Sequence, residues 1–402
     1  MITWLFDRRN RWGYVPNLVQ RTDIKPSTQE WWDLALTPPY SYEFRFLRYC
    51  GMEGVKWQAK LVNDEIWSAP AYYPIKLNFW APELDYFEFM PSETLHKLKQ
   101  GLFKVLFYYD EGDDPTIDLL PHLREMIKKH GISISNIRIA TANWNLDGKA
   151  PFVYIPDDEL YYRYLHLMRK HPDWVQEVTL GPREKISTCL TRADKTWRRV
   201  FGSIFTSLGM HEDSYYSYNN YQYQMYSIDQ DQIKPWADSI IGLEEKLASF
   251  ELQLPYRCDD LTDADHNNHG IINQQHHNNA YWNIVVETHF DQHTTFLTEK
   301  TFKPILNLQP FVIVGNPDSL SLLKQLGYKT FDSVISEDYD QIKNPQDRME
   351  AVLKTCYVLH NSSHNKHMQI QKQLKNVLEY NQRHFLAPKT GRIKNFLSQL
   401  EY

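Results

Sequence analysis

Three short polar stretches hold the residues that are most suited to chemistry. They carry Glu299, Lys300 and Lys303 in FLTEKTFKPILNLQPFVIVGNP, Arg192, Lys195, Arg198 and Arg199 in TRADKTWRR, and Glu111, Asp113 and Asp114 in YYDEGDDP. Carboxylates accept protons and hydrogen bonds, whereas lysine and arginine bind anions. An acidic loop and a basic region together suit a substrate that has phosphates on one side and a hydroxyl to be activated on the other.

Pro304 makes the first of these stretches unusual. If a helix starts near Thr298, the proline lies inside it and cannot donate a hydrogen bond to the carbonyl of Lys300. The alternative is a turn over 298–303 followed by a helix that starts at Pro304. In both cases we expect an irregular backbone, which is common at binding sites, although a plain kink is the simpler interpretation. We further expect Glu299 and Lys300 to be partners of a ligand rather than of each other.

The basic stretch lies between a predicted strand, KISTCL, and a strongly amphipathic helix. Basic residues at a helix N-terminus oppose the helix macrodipole, so they need a reason to be there. Binding an anion is one reason, and a solvated cluster of surface charges is the more common one.

The acidic stretch precedes another helix, in which Asp114 can be the N-cap and Pro115 the first residue. Glu111 and Asp113 are therefore either a catalytic pair or part of a capping loop. Glu287 is a further acidic candidate, because it lies at the end of the predicted strand in YWNIVVETHF.

Composition excludes some classes of protein. The 402 residues carry a net charge of −6, which gives no global attraction to nucleic acid or to anionic membranes. The four cysteines are scattered, which argues against a disulfide framework or a zinc site and favours a reducing, cytoplasmic location. No stretch is predicted to span a membrane. The histidines of 266–277 look like part of a surface loop, so we expect no metal site.

Alternating strands and helices predict the fold. FKVLFYY (Phe103–Tyr109) and NIRIATA (Asn136–Ala142) are predicted strands around a helix that ends at Gly131, and PFVIVG and YKTF are predicted strands nearer the C-terminus. Asn316 is expected to cap a helix that begins at Pro317. This pattern predicts an α/β fold of two lobes, residues 1–180 and 181–380, with a cleft between them. A last helix over 381–402 can return to the first lobe.

Two motifs carry a resemblance to known proteins. The segment from ETHF through FLTEKTFKPILNLQPFVIVGNP to GYKTFD resembles a group of phage and giant-virus glycosyltransferase-like proteins, as does EGDDP at 111–115. It is more distantly similar to inverting α1,3-fucosyltransferases, whose signature is Phe-Glu-Asn-Ser followed by Tyr-Ile-Thr-Glu-Lys. The resemblance implies two Rossmann-like lobes of the GT-B type. It also implies a nucleotide-sugar as co-substrate, with no metal and no further cofactor.

The resemblance implies roles for the donor-binding residues. Glu299 would bind the ribose and Lys300 the diphosphate, and Arg198, or else Arg192, would also hold the phosphates. Glu287 would lie near the sugar, but Thr288-His289 replaces Asn-Ser here, so fucose is not predicted. Lys303 completes the predicted donor-binding set.

Inversion requires a base on the face opposite the leaving diphosphate, and therefore one from the other lobe. Glu111 is the predicted base, with Asp113 as the alternate. The acceptor is either a glycan or a hydroxymethylated base in viral DNA. Arg8, Arg9, Arg11 and Arg21 would suit DNA, although net acidity and simple solvation argue against that role. A different class of function, a non-catalytic nucleotide- or sugar-binding protein of the same fold, also agrees with the sequence. The oligomeric state is not predicted.

Overall fold

The computed structural model describes residues 2–6, 58–61, 70–76, 85–88, 90–109, 114–155, 179–221, 230–258 and 273–401. The chain divides into two compact units. One comprises Met1–Pro156 together with Pro388–Tyr402, and the other is Asp157–Ala387.

Ten strands lie within the described residues. They are β1 (Thr3–Phe6), β2 (Gln58–Leu61), β3 (Ala71–Lys76), β4 (Lys104–Tyr109), β5 (Ile137–Thr141), β6 (Phe152–Tyr154), β7 (Lys185–Ala193), β8 (Ser214–Tyr221), β9 (Ala280–Val286) and β10 (Phe311–Val314).

Twelve α-helices lie within the same residues. They are α1 (Ser92–Lys99), α2 (Pro115–Asp118), α3 (Leu120–His130), α4 (Thr196–Ser207), α5 (Gln230–Ala237), α6 (Leu243–Glu251), α7 (Gln274–Asn279), α8 (Glu299–Leu306), α9 (Ser319–Gln325), α10 (Pro345–His360), α11 (His364–Leu386) and α12 (Thr390–Leu400).

The first unit is built on a parallel sheet with the order β2-β1-β3-β4-β5-β6. Apolar runs form its central strands because both faces of a parallel sheet are covered, and Val105, Phe107 and Ile139 are fully buried. Asp114 caps α2 through the backbone N–H of Thr116, as predicted. The last helix, α12, belongs to this unit, and the Tyr72 hydroxyl donates a 2.6 Å hydrogen bond to a carbonyl near its end.

The second unit has its own parallel sheet, in the order β10-β9-β7-β8. All seven residues of β9 and all four of β10 are buried, which explains their nearly unbroken apolar sequences. The predicted α/β class, with two Rossmann-like units of parallel strands and helical crossovers, is therefore confirmed.

Two local predictions in this unit are wrong. YKTF is not a strand, because the backbone N–H of Phe331 donates to the Glu337 carboxylate instead of to a neighbouring strand. Asn316 does not cap a helix. Its side chain bonds to Thr294, and α9 begins only at Ser319.

Among the described residues, no helix is both long enough and apolar enough to cross a membrane.

Candidate functional site

The order of the strands in the second unit creates a crevice between β7 and β9. The chain passes from β7 to β8 on one side, and then returns to place β9 on the other side of β7. In open parallel sheets, ligands bind beyond the carboxyl ends of the strands at such a reversal. The register between β7 and β9 extends to Thr188 and Asn283, whereas β7 stays paired with β8 as far as Ala193 and β9 with β10 as far as Val286. The two central strands therefore part towards their carboxyl ends.

Arg198 joins the two strands where they part. It is the third residue of α4 and is only 4% exposed. Its guanidinium donates a 3.1 Å hydrogen bond to the carbonyl of Ala193, the last residue of β7, and another to the carbonyl of Glu287, directly after β9. The ring of Trp197 packs 5.2 Å from the guanidinium carbon and stacks on Phe290. Arg198 thus bridges the end of β7 and the residue that follows β9.

The carboxylate of Glu287 holds the start of α8. It is 1% exposed and accepts hydrogen bonds from the backbone N–H of Thr298 (3.0 Å) and from the hydroxyls of Thr298 (2.7 Å) and Thr301 (2.6 Å). The backbone N–H of Thr288 donates a fourth bond of 3.0 Å. A carboxylate at a helix N-terminus is favoured by the macrodipole. These bonds make Glu287 an anchor that fixes α8 to the end of β9.

Glu299 and Lys300 are the first two residues of α8, and the Thr298 side chain caps the backbone N–H of Lys300. The Lys300 ammonium lies 2.9 Å from the Glu299 carboxylate and 3.3 Å from the Thr288 hydroxyl. The expectation that Glu299 and Lys300 are not partners of each other is wrong, because they form an ion pair. Their side chains are 17% and 30% exposed, and partly exposed pairs of this kind contribute little.

The expected irregularity around Pro304 is also wrong. Pro304 is the sixth residue of a continuous helix that starts directly after Thr298, as the first alternative proposed. The start of that helix is held by Glu287, through Thr298 and Thr301, and so does not depend on the backbone bond that proline removes.

Lys195 belongs to the basic stretch TRADKTWRR, although it is not one of the predicted donor-binding residues. It directly precedes α4, and its ammonium donates a 2.9 Å hydrogen bond to the carbonyl of Thr288. Lys195 and Lys300 thus contact the same residue, one at its carbonyl and the other at its hydroxyl. The signal available in the sequence was the basic stretch before the helix, which did not indicate which of its cations reach β9.

The side chain of His289 lies within the field of these cations. Burial, together with the positive charges of Lys195, Arg198 and Lys300, lowers the pKa of His289 well below its usual value of 6.5. The imidazole is therefore neutral at physiological pH. Three cations, from the segments that follow β7 and β9, converge at this end of the sheet. We call Lys195, Arg198 and Lys300 the cation cluster.

Other residues of the basic stretch lie differently. Arg199 forms an ion pair with the fully buried Asp194 and also binds Glu251, and Tyr218 donates a 2.6 Å hydrogen bond to the same aspartate. Asp194 thus compensates one of the positive charges at the start of α4. Arg192 is half-buried within β7, before the strand ends.

Lys303, the fifth residue of α8, exerts its electrostatic effect near the N-terminal end of β9. Burial first, and then the charges of Lys303 and His276, lower the pKa of His277 to about 4, against an opposing hydrogen bond with Gln309. His277 lies in α7, directly before β9, whereas Thr288 follows that strand. Lys303 is therefore not part of the cation cluster, although Lys300 on the same helix is.

The predicted bases Glu111 and Asp113 lie outside the described residues, as do His266 and His269. In the described parts of the chain, no group of three histidine, cysteine or acidic side chains is arranged to hold a metal ion.

The chain matches no protein-family profile and no curated protein. Among solved structures, it is similar to an alpha1,3-fucosyltransferase, with 11% identity, coverage of 100% of this chain and 90% of that one, and a TM-score of 0.39. It is also similar to an alpha,alpha-trehalose 6-phosphate synthase from Burkholderia multivorans, with 9% identity, coverage of 93% and 78%, and a TM-score of 0.37. Similarities of this size do not assign the chain to a family.

Proposed function

We propose that this protein is an inverting glycosyltransferase that moves a sugar from a nucleotide-sugar to an acceptor hydroxyl without using a metal ion. The observation that carries the proposal is the cation cluster at the point where the strand order reverses, with the Glu299 carboxylate beside it. A site that combines converging cations with a carboxylate suits a nucleoside diphosphate, because the cations neutralise the phosphates and the carboxylate accepts hydrogen bonds from the ribose hydroxyls.

The proposed reaction needs cations at the leaving diphosphate and a base at the acceptor hydroxyl. The acceptor oxygen attacks the anomeric carbon, and the bond from that carbon to the diphosphate oxygen breaks. The electron pair leaves with the nucleoside diphosphate, and the cation cluster stabilises the charge that develops there. A base takes the proton of the acceptor hydroxyl on the opposite face, which gives inversion. Glu111 is the proposed base, with Asp113 as the alternate, because their segment follows the carboxyl end of β4.

The Glu-Lys motif supports the same assignment. The resemblance to fucosyltransferases implies a ribose-binding glutamate followed by a phosphate-binding lysine, and Glu299 and Lys300 lie together at the start of a helix beside the other cations. Helix N-termini favour anions, which adds to the effect of the side chains.

We propose a glycan or a hydroxymethylated base of DNA as the acceptor. A net charge of −6 favours an acceptor that needs few phosphate contacts, and so favours the glycan. The viral resemblance favours the modified base. A cytoplasmic location suits both acceptors.

One experiment tests the proposal. The wild-type protein is incubated with a panel of nucleotide-sugars in the presence of a chelator, with oligosaccharides, with hydroxymethylated DNA or with no acceptor, and the free nucleoside diphosphate is measured. We expect acceptor-dependent release with one donor, and we expect Glu111→Gln to lower turnover at least tenfold while donor affinity is kept. Donor binding without release under any condition would favour the alternative, a non-catalytic binding protein. Failure to bind any nucleotide would overturn both.

A further inference from the structure

Arg348 is a buried charged side chain to which the proposed reaction gives no role. It is the fourth residue of α10 and is only 2% exposed. Its guanidinium donates hydrogen bonds to four backbone carbonyls, those of Phe290, Gly315, Ile342 and Lys343. Taking a charged group out of water is costly, and carbonyl acceptors offset that cost only in part. The position of this charge therefore requires an explanation.

Two of these carbonyls lie at the carboxyl ends of neighbouring strands. Gly315 directly follows β10, and Phe290 lies in the segment that follows β9. The two strand ends approach each other closely, since a Cβ atom at Gly315 would lie 3.2 Å from the Cβ of Glu287. Arg348 thus joins the ends of β9 and β10 to the first turn of α10.

The guanidinium of Arg348 also begins a series of ring contacts. Its central carbon lies 4.4 Å from the centroid of the Phe290 ring, and that ring stacks on Trp197 at 5.2 Å with an angle of 21° between the planes. The Trp197 ring lies 5.2 Å from the guanidinium carbon of Arg198. Rings and guanidinium groups attract each other in preferred geometries, so each member of the series restricts the orientation of the next.

We propose that Arg348 is a positioning residue for the nucleotide site, which holds Phe290 against Trp197 and so orients the start of α4. The inference rests on the proposed function and deepens it, because it names a residue outside the cation cluster on which donor affinity depends. Arg348 acts through Phe290 and Trp197 and does not itself bind the donor. A planar guanidinium can donate to carbonyls and stack on a ring at the same time, whereas a lysine ammonium is a point charge.

The test uses Arg348→Lys, which retains the charge but loses the planar group. Calorimetry on the full chain, at a temperature where each variant is folded, measures the affinity for the nucleoside diphosphate that wild type binds best in a panel. We expect Arg348→Lys to weaken this binding about fivefold or more. In spectra of protein with isotope-labelled tryptophan, the indole N–H resonance of Trp197, assigned from Trp197→Phe, should also shift.

Arg183 supplies a matched control at the amino end of β9. Its guanidinium also donates to backbone carbonyls, those of Thr179, His277 and Asn278. Arg183→Lys should lower the urea midpoint, as we expect Arg348→Lys to do. It should change diphosphate affinity less than about twofold and leave the Trp197 resonance in place, because its contacts lie away from α4.

Phe290→Leu tests the series without changing Arg348. Leucine keeps an apolar side chain but removes the ring that lies between the guanidinium and Trp197. We expect a loss of affinity similar to that in Arg348→Lys. The double variant should lose little more than the more affected single variant, because both changes interrupt the same contacts.

The outcomes separate a positioning role from a structural one. Unchanged diphosphate affinity in Arg348→Lys, with a lowered urea midpoint, would make Arg348 a structural residue and overturn the inference while the proposed function stands. Losses that multiply in the double variant, or an unshifted Trp197 resonance, would also overturn it. If Arg348→Lys does not fold, unchanged affinity in Phe290→Leu has the same meaning. If wild type binds no nucleoside diphosphate, the proposed function fails and the inference fails with it.

Discussion

The hydroxyl of Thr301 donates a 2.6 Å hydrogen bond to the carboxylate of Glu287 and so ties the first turn of α8 to the end of β9. Thr301→Val removes this bond from a buried carboxylate and should lower the free energy of unfolding by about 1.5–3 kcal/mol. Thr301→Ser keeps the hydroxyl and should cost about 1 kcal/mol, the value of one buried methyl group. Urea denaturation measures both variants. Equal losses in valine and serine would show that the hydroxyl does not anchor the helix.

Arg198 and Arg192 were the two candidates for the arginine of the site, and the structure separates them. Arg198→Lys leaves one of two buried carbonyls, that of Ala193 or that of Glu287, without its donor, which should cost about 1–3 kcal/mol of unfolding free energy. Affinities for nucleoside and nucleoside diphosphate should fall by the same factor, since the crevice itself is disturbed. Arg192→Lys should change stability by less than about 0.5 kcal/mol and leave both affinities in place. A larger loss of stability and affinity in Arg192→Lys than in Arg198→Lys would return the role to Arg192.

Lys300 and Lys303 lie one turn apart on the same helix, which makes them a matched pair. Lys300→Ala should weaken nucleoside diphosphate binding roughly tenfold to hundredfold, the value of one hydrogen bond to a charged group. Lys303→Ala should change it less than about threefold, because the charge of Lys303 acts on His277, before β9. Isothermal calorimetry at one ionic strength compares the two. A similar loss in both variants would mean that general charge, and not position, governs binding.

Buried neutral histidines make stability depend on pH. His277 and His367 each have a pKa lowered to about 4, mainly by burial, so between about pH 6.5 and 4 the unfolded chain binds protons that the folded chain does not. Stability is therefore full above pH 6.5 and falls as the pH decreases, by about 3 kcal/mol per histidine at pH 4. Asp340 acts in the opposite direction, because burial raises its pKa to about 6. We expect the two histidines to outweigh it.

The measurement is the urea midpoint between pH 7 and 4.5 for wild type and for His277→Gln. The variant should lose part of the decrease with acidification, since it removes one of the titrating groups. A midpoint that rises on acidification in wild type would contradict the sign of this prediction.

The strands could be predicted because strands that are buried on both faces have nearly continuous apolar sequences. The apolar runs at Phe103–Tyr109 and at 310–315 became β4 and β10, with ends within one or two residues of the prediction. The helix that ends before Gly131 was also predictable, because helices often end at a left-handed residue and glycine adopts that conformation easily. Gly131 has a φ of 65°. The sequence did not reveal that this helix is divided into α2 and α3.

The site was only partly predictable, because its bonds join residues that are distant in sequence. Glu299 and Lys300 were found through their motif and Arg198 through its place at the start of a helix. The function of Glu287 as an anchor depends on Thr298 and Thr301, which reach it only once β9 and α8 are packed. The contact between Lys195 and Thr288 could not be predicted for the same reason, since Thr288 lies in another loop.

The bond between Tyr72 and the carbonyl of Leu400 has a consequence for synthesis and truncation. Residues 157–387 form an insertion within the first unit, whose helix α12 follows the inserted residues in the chain. The first unit therefore cannot complete its core until α12 has left the ribosome, whereas the inserted unit is continuous and can finish folding earlier. Removal of residues 388–402 would damage the first unit, most of which lies at the other end of the sequence. It would spare the inserted unit, residues 157–387.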